Sequence, residues 1–170
     1  MGIHRLNHAV LHVRDVAVSK RFYMDLLGFR VVTELPRAVF LQAPGSTNDH
    51  DLGLFEVGAA AGPNPSGRGT VGLYHLAWEV ETLGELEDLS SSLRSASALV
   101  GASDHGSTKS LYARDPDGLE FEVVWLIPAA DLTDADLAGR DETTELHLPR
   151  ELERFGRDAR SGLGISRSAS

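Results

Sequence analysis

The sequence predicts an α+β protein made of two βαβββ modules. Three observations predict it: period-2 apolar alternation opens each half, a run of helical spacing follows, and breaker residues then divide three further apolar stretches. In the first half, residues 4–14 alternate around Leu6, His8, Val10 and His12, which places His8 on a strand. Asp15 suits a helix N-cap, Val18, Phe22 and Leu26 recur at helical spacing, and Gly28 suits the left-handed C′ position. Arg30 to Leu35, Val39 to Ala43 and Asp51 to Val57 are the next three strands, separated by Pro36 and by Pro44, Gly45 and Ser46.

Residues 58–70 contain Gly58, Gly62, Pro63, Pro65, Gly67 and Gly69, too many breakers for a regular element, and read as a linker. The second module restarts with a strand from Leu73 to Val80. Thr82 and Glu85 have the hydroxyl and carboxylate spacing of a capping box, and Leu86, Leu89 and Leu93 continue as a helix. Strands near Ala98–Val100, Leu111–Ala113 and Leu119–Leu126 complete it, with the turn Asp115-Pro116-Asp117-Gly118 before the last. Residues 3–127 thus form one domain, with module 1 over 3–57, the linker over 58–70 and module 2 over 71–127. Residues 128–170 are an extension poor in large apolar groups, with a short helix near 149–156 and a disordered end from Ser161 to Ser170.

The chain has 170 residues, 42% hydrophobic and 24% charged, which is the composition of a globular domain with a real core. Its formal net charge of −9 argues against nucleic acid or an anionic membrane as partner, because both select basic surfaces. Small molecules are the expected partners. With no cysteine there is neither a disulfide framework nor a thiolate ligand. Neither a secretory leader nor an uninterrupted apolar run of about 18 residues is present, so the expected location is cytoplasmic.

Four residues stand out against this background. His8 and His75 are 75 − 8 = 67 residues apart, and Glu56 and Glu122 are 122 − 56 = 66 apart, as if each module carried one histidine and one carboxylate. The local text agrees: Asn7-His8-Ala9-Val10-Leu11-His12-Val13 parallels Tyr74-His75-Leu76-Ala77-Trp78-Glu79-Val80, and Leu54-Phe55-Glu56-Val57 parallels Glu120-Phe121-Glu122-Val123. Imidazole with carboxylate is the ligand set of zinc, nickel, manganese or non-haem iron. On the last strand Phe121 and Val123 share one face and Glu122 the other, so the carboxylate points either to water or into a site.

A repeated βαβββ module with first-strand histidine and last-strand glutamate resembles the vicinal oxygen chelate superfamily, which includes glyoxalase I, fosfomycin-resistance and bleomycin-binding proteins and extradiol ring-cleaving dioxygenases. The segment Asp115-Pro116-Asp117-Gly118-Leu119-Glu120-Phe121-Glu122 is typical of it. The resemblance implies a curved, partly closed mixed sheet around one metal site. Three further segments are similar to the extradiol catechol 2,3-dioxygenases: His50-Asp51-Leu52-Gly53-Leu54-Phe55, Tyr74-His75-Leu76-Ala77-Trp78-Glu79, and Asp104-His105 through Lys109 to Tyr112.

That resemblance implies Fe(II), or Mn(II), held by His8, His75 and Glu122, and an aromatic diol and O₂ as substrates. A facial set of three protein ligands leaves room for both reactants on one metal. It further implies His50 as acid–base group and His105 with Tyr112 as donors to the substrate oxygens. The tail after Pro128 would cover the site's mouth, and a homodimer is expected. The larger two-domain dioxygenases carry an additional non-catalytic domain that is absent from this sequence, and their segment corresponding to His105–Tyr112 is about two residues longer. His4, His12 and His147 read as structural or exposed.

Two other readings follow from the same family. A glyoxalase I-like isomerase, lyase or thiol transferase would use Ni(II) or Zn(II) with Glu56 as a fourth ligand. A non-enzymatic protein that sequesters an aromatic natural product would need no metal.

Overall fold

A computed structural model describes residues 2–65 and 69–162 of the chain. The described residues form two compact units. The first comprises residues 2–65 with the turn Asp115–Leu119, and the second residues 69–114 and 120–162.

The first unit runs β1 (Ala9–Val13), α1 (Val16–Leu27), β2 (Arg30–Leu35), β3 (Ala38–Gln42) and β4 (Leu52–Glu56). Its sheet has the order β1-β4-β3-β2, with β1 parallel to β4 and the other pairs antiparallel. Asp15 Oδ1 accepts from the backbone N–H groups of Ala17 and Val18, and Gly28 closes α1 at φ 71°, as the N-cap and C′ residue types require. Leu11, Val13, Tyr23, Val39, Leu41, Leu52 and Leu54 make its core. The Asp115–Leu119 turn docks on this unit through polar contacts. The Arg14 guanidinium donates to Asp117 at 2.8 Å, and the Tyr23 hydroxyl to the buried Asp115 at 3.3 Å. Burial pushes both the Tyr23 phenol and the Asp115 carboxyl above their ordinary pKa values.

The second unit runs β5 (Leu76–Glu79), α2 (Leu83–Ser95), β6 (Leu99–Asp104), β7 (Thr108–Arg114), β8 (Glu120–Leu126), α3 (Asp134–Ala138), a 3₁₀ turn at Gly139–Asp141, β9 (Thr144–Glu145) and α4 (Leu148–Phe155). The sheet order is β5-β8-β7-β6-β9, with β5 parallel to β8. Both reciprocal bonds of the Thr82–Glu85 capping box are present at the start of α2. Neither sheet closes into a barrel, and each unit carries one βαβββ module, so the α+β class and the paired modules stand.

Several boundaries differ from the sequence reading, and β6 and β7 are longer than the expected Ala98–Val100 and Leu111–Ala113. The first strand begins at Ala9, so His8 lies just before it, and β5 likewise begins one residue after His75. The alternation over residues 4–8 is real, but those residues have no strand partner. The extension after Pro128 is more structured than its composition indicates: besides α4, with Pro149 in its first turn, it forms α3 and the edge strand β9. Of the tail expected to be disordered, Ser161 and Gly162 are described and bonded to β8. The Ser161 hydroxyl accepts from Leu126 N–H and the Gly162 N–H donates to Leu126 O. Residues 163–170 lie outside the described residues.

Candidate metal centre

In β8 the side chains of Phe121, Val123 and Trp125 are buried, while Glu120, Glu122 and Val124 occupy the other face. Tyr112 on β7 and Ala77 on β5 pair with Glu122 from either side, so all three share that second face. His75 lies two residues before Ala77 and therefore reaches the same face. Its Nε2 lies 3.0 Å from Glu122 Oε2.

Beside this pair the Tyr112 hydroxyl lies 3.5 Å from Glu122 Oε1 and 2.9 Å from His105 Nε2. The His75 and Tyr112 rings meet edge to face at 5.7 Å. Burial, then the charge of Glu122, raises the Tyr112 pKa, so the phenol keeps its proton through neutral pH and remains a hydrogen-bond donor.

His75 and Glu122 fit a divalent cation by donor type and spacing: two cis ligands each about 2.1 Å from an ion stand about 3 Å apart, the separation found here between Nε2 and the carboxylate. His75 Nδ1, the other ring nitrogen, is buried with no hydrogen-bond partner among the described residues.

In the first unit the His8 and His50 rings lie against each other, tilted by 42° with centroids 4.5 Å apart, and His50 also packs edge-on against Phe40 at 4.9 Å. His50 Nδ1 lies 2.8 Å from Asp49 Oδ2, a carboxylate that orients the ring, and His8 Nδ1 lies 2.7 Å from Asn7 Oδ1. Asp51 is buried and serves its own loop, accepting from Ala43 N–H, the Ser46 hydroxyl and Asn48. The expected residues are thus gathered as two sets, His8 with His50 and His75 with Glu122, Tyr112 and His105. Among the described residues no group of three or more His, Cys, Asp or Glu side chains meets around one ion position.

Glu56 is placed differently from Glu122. In the first unit Ala9 pairs with Leu52 and Val10 with Gly53; in the second Leu76 pairs with Phe121 and Ala77 with Glu122. With His8 and His75 equivalent, the position equivalent to Glu122 is therefore Gly53. The sequence repeat misaligns the last strand by three residues, an odd number that exchanges its faces. Glu56 accordingly turns to the helix side. One carboxylate oxygen accepts from the first-turn N–H of Val16 at 3.3 Å, and the other lies 3.5 Å from the Arg37 guanidinium.

Sequence reasoning missed Thr143, which forms no motif and whose hydroxyl lies 3.3 Å from His105 Nδ1, and gave no role to Lys109 of the Asp104–Tyr112 segment, which is buried beneath the His105 loop. Nor does the helical part of the extension lie over Glu122: Phe155 of α4 packs on Trp125 at 5.2 Å, on the opposite face of β8, because that is where the apolar side chains are.

With this geometry in place, comparison with known proteins defines the class. The description of the Glyoxalase/Bleomycin resistance protein/Dioxygenase superfamily matches residues 5–123, and the chain belongs to that superfamily. It is 35% identical over 145 residues to biphenyl-2,3-diol 1,2-dioxygenase 3 of Rhodococcus globerulus, covering 83% of this chain and 74% of the relative. It is 30% identical over 118 residues to catechol-2,3-dioxygenase of Bacillus subtilis, covering 69% of this chain but only 40% of that protein. Among solved structures, lactoylglutathione lyase from Agrobacterium tumefaciens matches with a TM-score of 0.55 at 24% identity, covering 73% of this chain and 95% of that one. That likeness shows the shared fold alone.

Proposed function

We propose that the chain is an extradiol dioxygenase that cleaves the ring of a catechol-type aromatic diol with O₂, using Fe(II) held by His8, His75 and Glu122. The observation that carries this reading is the array on one face of the second sheet: the His75–Glu122 pair at 3.0 Å with the Tyr112 hydroxyl and His105 imidazole beside it. Similarity to two diol dioxygenases supports the reaction class. Mn(II) fits the same nitrogen and oxygen donors.

When bound, the metal supplies a common anchor and an electronic path between diol and oxygen. The chain's own residues do the rest. Tyr112 keeps its proton and donates to an oxygen of the diol as charge develops there. His105, joined to the Tyr112 hydroxyl, holds that donor in place. His50, oriented by Asp49, takes a proton from the diol and returns it once the ring has opened, so that both oxygens of O₂ stay in the product and no proton is consumed. A homodimer and a cytoplasmic setting belong to the same reading.

The glyoxalase-like alternative requires Glu56 as a ligand, and both its oxygens are engaged by Val16 and Arg37. The test is ring opening under ¹⁸O₂ by Fe(II)-loaded protein, read by mass spectrometry. Two labelled oxygens in a yellow product support the proposal; turnover of a hemithioacetal without oxygen would replace it with an isomerase.

A further inference from the structure

His105 sits in the turn between β6 and β7, and each residue of that turn is held by the C-terminal extension or by a lysine that the extension buries. Lys109, only 1% exposed, donates to Asp104 Oδ1 at 2.6 Å and to Gly106 O at 3.1 Å, gripping the residues on both sides of His105. Glu151 of α4, 4% exposed, lies 3.5 Å from the same ammonium. Gly106 adopts φ 71°, and a Cβ there would stand 2.3 Å from Asp136 O, so the turn is pressed against α3. The Arg140 guanidinium donates to the Ser107 hydroxyl at 3.0 Å, Thr144 pairs with Asp104 in the β6–β9 ladder, and Thr143 Oγ1 reaches His105 Nδ1.

A buried ammonium–carboxylate pair contributes little net stability, and apolar residues of the same volume usually do as well. Its use here lies in geometry: Lys109 fixes the turn, and the extension fixes Lys109. His105 then has one polar neighbour on each ring nitrogen, Thr143 at Nδ1 and Tyr112 at Nε2.

We infer that Thr143 is a positioning residue: its hydroxyl donates to His105 Nδ1, which leaves Nε2–H to donate to the Tyr112 oxygen and keeps the single phenol proton free for Glu122 and the diol. The inference rests on the dioxygenase reading for its consequence in catalysis, but the tautomer itself exists without metal or substrate. Extension and site are therefore one device, with the tail acting through the β6–β7 turn and not as a lid.

The test is ¹⁵N NMR of the histidine side chains in the metal-free full chain, at alkaline pH where the ring is neutral. Expected is an Nε2–H tautomer for His105 in the wild type, a shift toward Nδ1–H in Thr143→Val, and restoration in Thr143→Ser. Unchanged His105 resonances in Thr143→Val, or an Nδ1–H tautomer in the wild type, would overturn it. In the Fe(II)-loaded enzyme Thr143→Val should lower kcat about tenfold with KM nearly unchanged, and Thr143→Ser should recover it. If no diol is cleaved, the dioxygenase reading fails while the NMR result still decides the tautomer.

Discussion

His75 and Glu122 meet at 3.0 Å across the parallel pair β5 and β8, although 47 residues separate them in the chain (122 − 75 = 47). Parallel pairing brings the start of one strand beside the middle of the other, and the strand alternation turns both side chains to one face. A nitrogen and an anionic oxygen so placed repay part of their desolvation by bonding each other, and a divalent cation would repay more.

His75→Ala and Glu122→Gln should each weaken Fe(II) binding by more than the roughly 10–100-fold typical of losing an outer-shell partner. Anaerobic equilibrium titration measures this. Wild-type affinity in both variants would remove the pair from the metal site.

Glu56→Gln should leave Fe(II) affinity unchanged and lower stability by about 0.5–1 kcal/mol, because the carboxylate serves the N-terminus of α1 and faces Arg37. Urea unfolding and the same titration separate the two effects. Loss of metal with stability intact would favour the four-ligand alternative.

The repeat of histidines was legible in the sequence because it rests on a local pattern of alternation, whereas His50 was read with Asp51 and is instead oriented by Asp49. The strands Arg30–Leu35 and Glu120–Leu126 and the caps Asp15, Gly28 and Thr82 follow from that same local chemistry. What depended on register was not legible. Glu56 looked equivalent to Glu122 because Phe-Glu-Val recurs, yet ladder pairing, set by long-range contacts, gives that place to Gly53. Thr143 was invisible for a related reason: a two-residue edge strand carries no period, and only its pairing with β6 brings the hydroxyl to His105.

Trp125 is fully buried on the helix side of β8, stacked near Phe155, with its indole N–H donating to Ala159 O at 3.0 Å. Trp125→Ala should therefore cost about 3–5 kcal/mol in urea unfolding. A loss below about 1 kcal/mol would mean that the extension is not part of the cooperative core.

Asp136 accepts two bonds from Arg154, at 2.8 and 2.6 Å, and this partner holds its carboxyl well below the usual range. A carboxyl with a depressed folded pKa contributes stability above its unfolded value, near 3.9, and loses it as the pH falls toward the folded value. Wild-type stability should thus fall more steeply than that of Asp136→Asn as the pH drops below about 4, while at neutral pH the variant is the weaker by on the order of 1–3 kcal/mol. Parallel stability curves for the two proteins would show that the ion pair adds nothing.

Oxygen chemistry on an aromatic diol at the His75–Glu122 face is decided by oxygen uptake after anaerobic loading with Fe(II), addition of monocyclic and bicyclic catechols, and admission of air. Expected is one O₂ consumed per diol with appearance of a yellow ring-opened product, absent in His75→Ala and retained in Glu56→Gln. No uptake with any diol, together with tighter Ni(II) or Zn(II) binding that depends on Glu56, would contradict it.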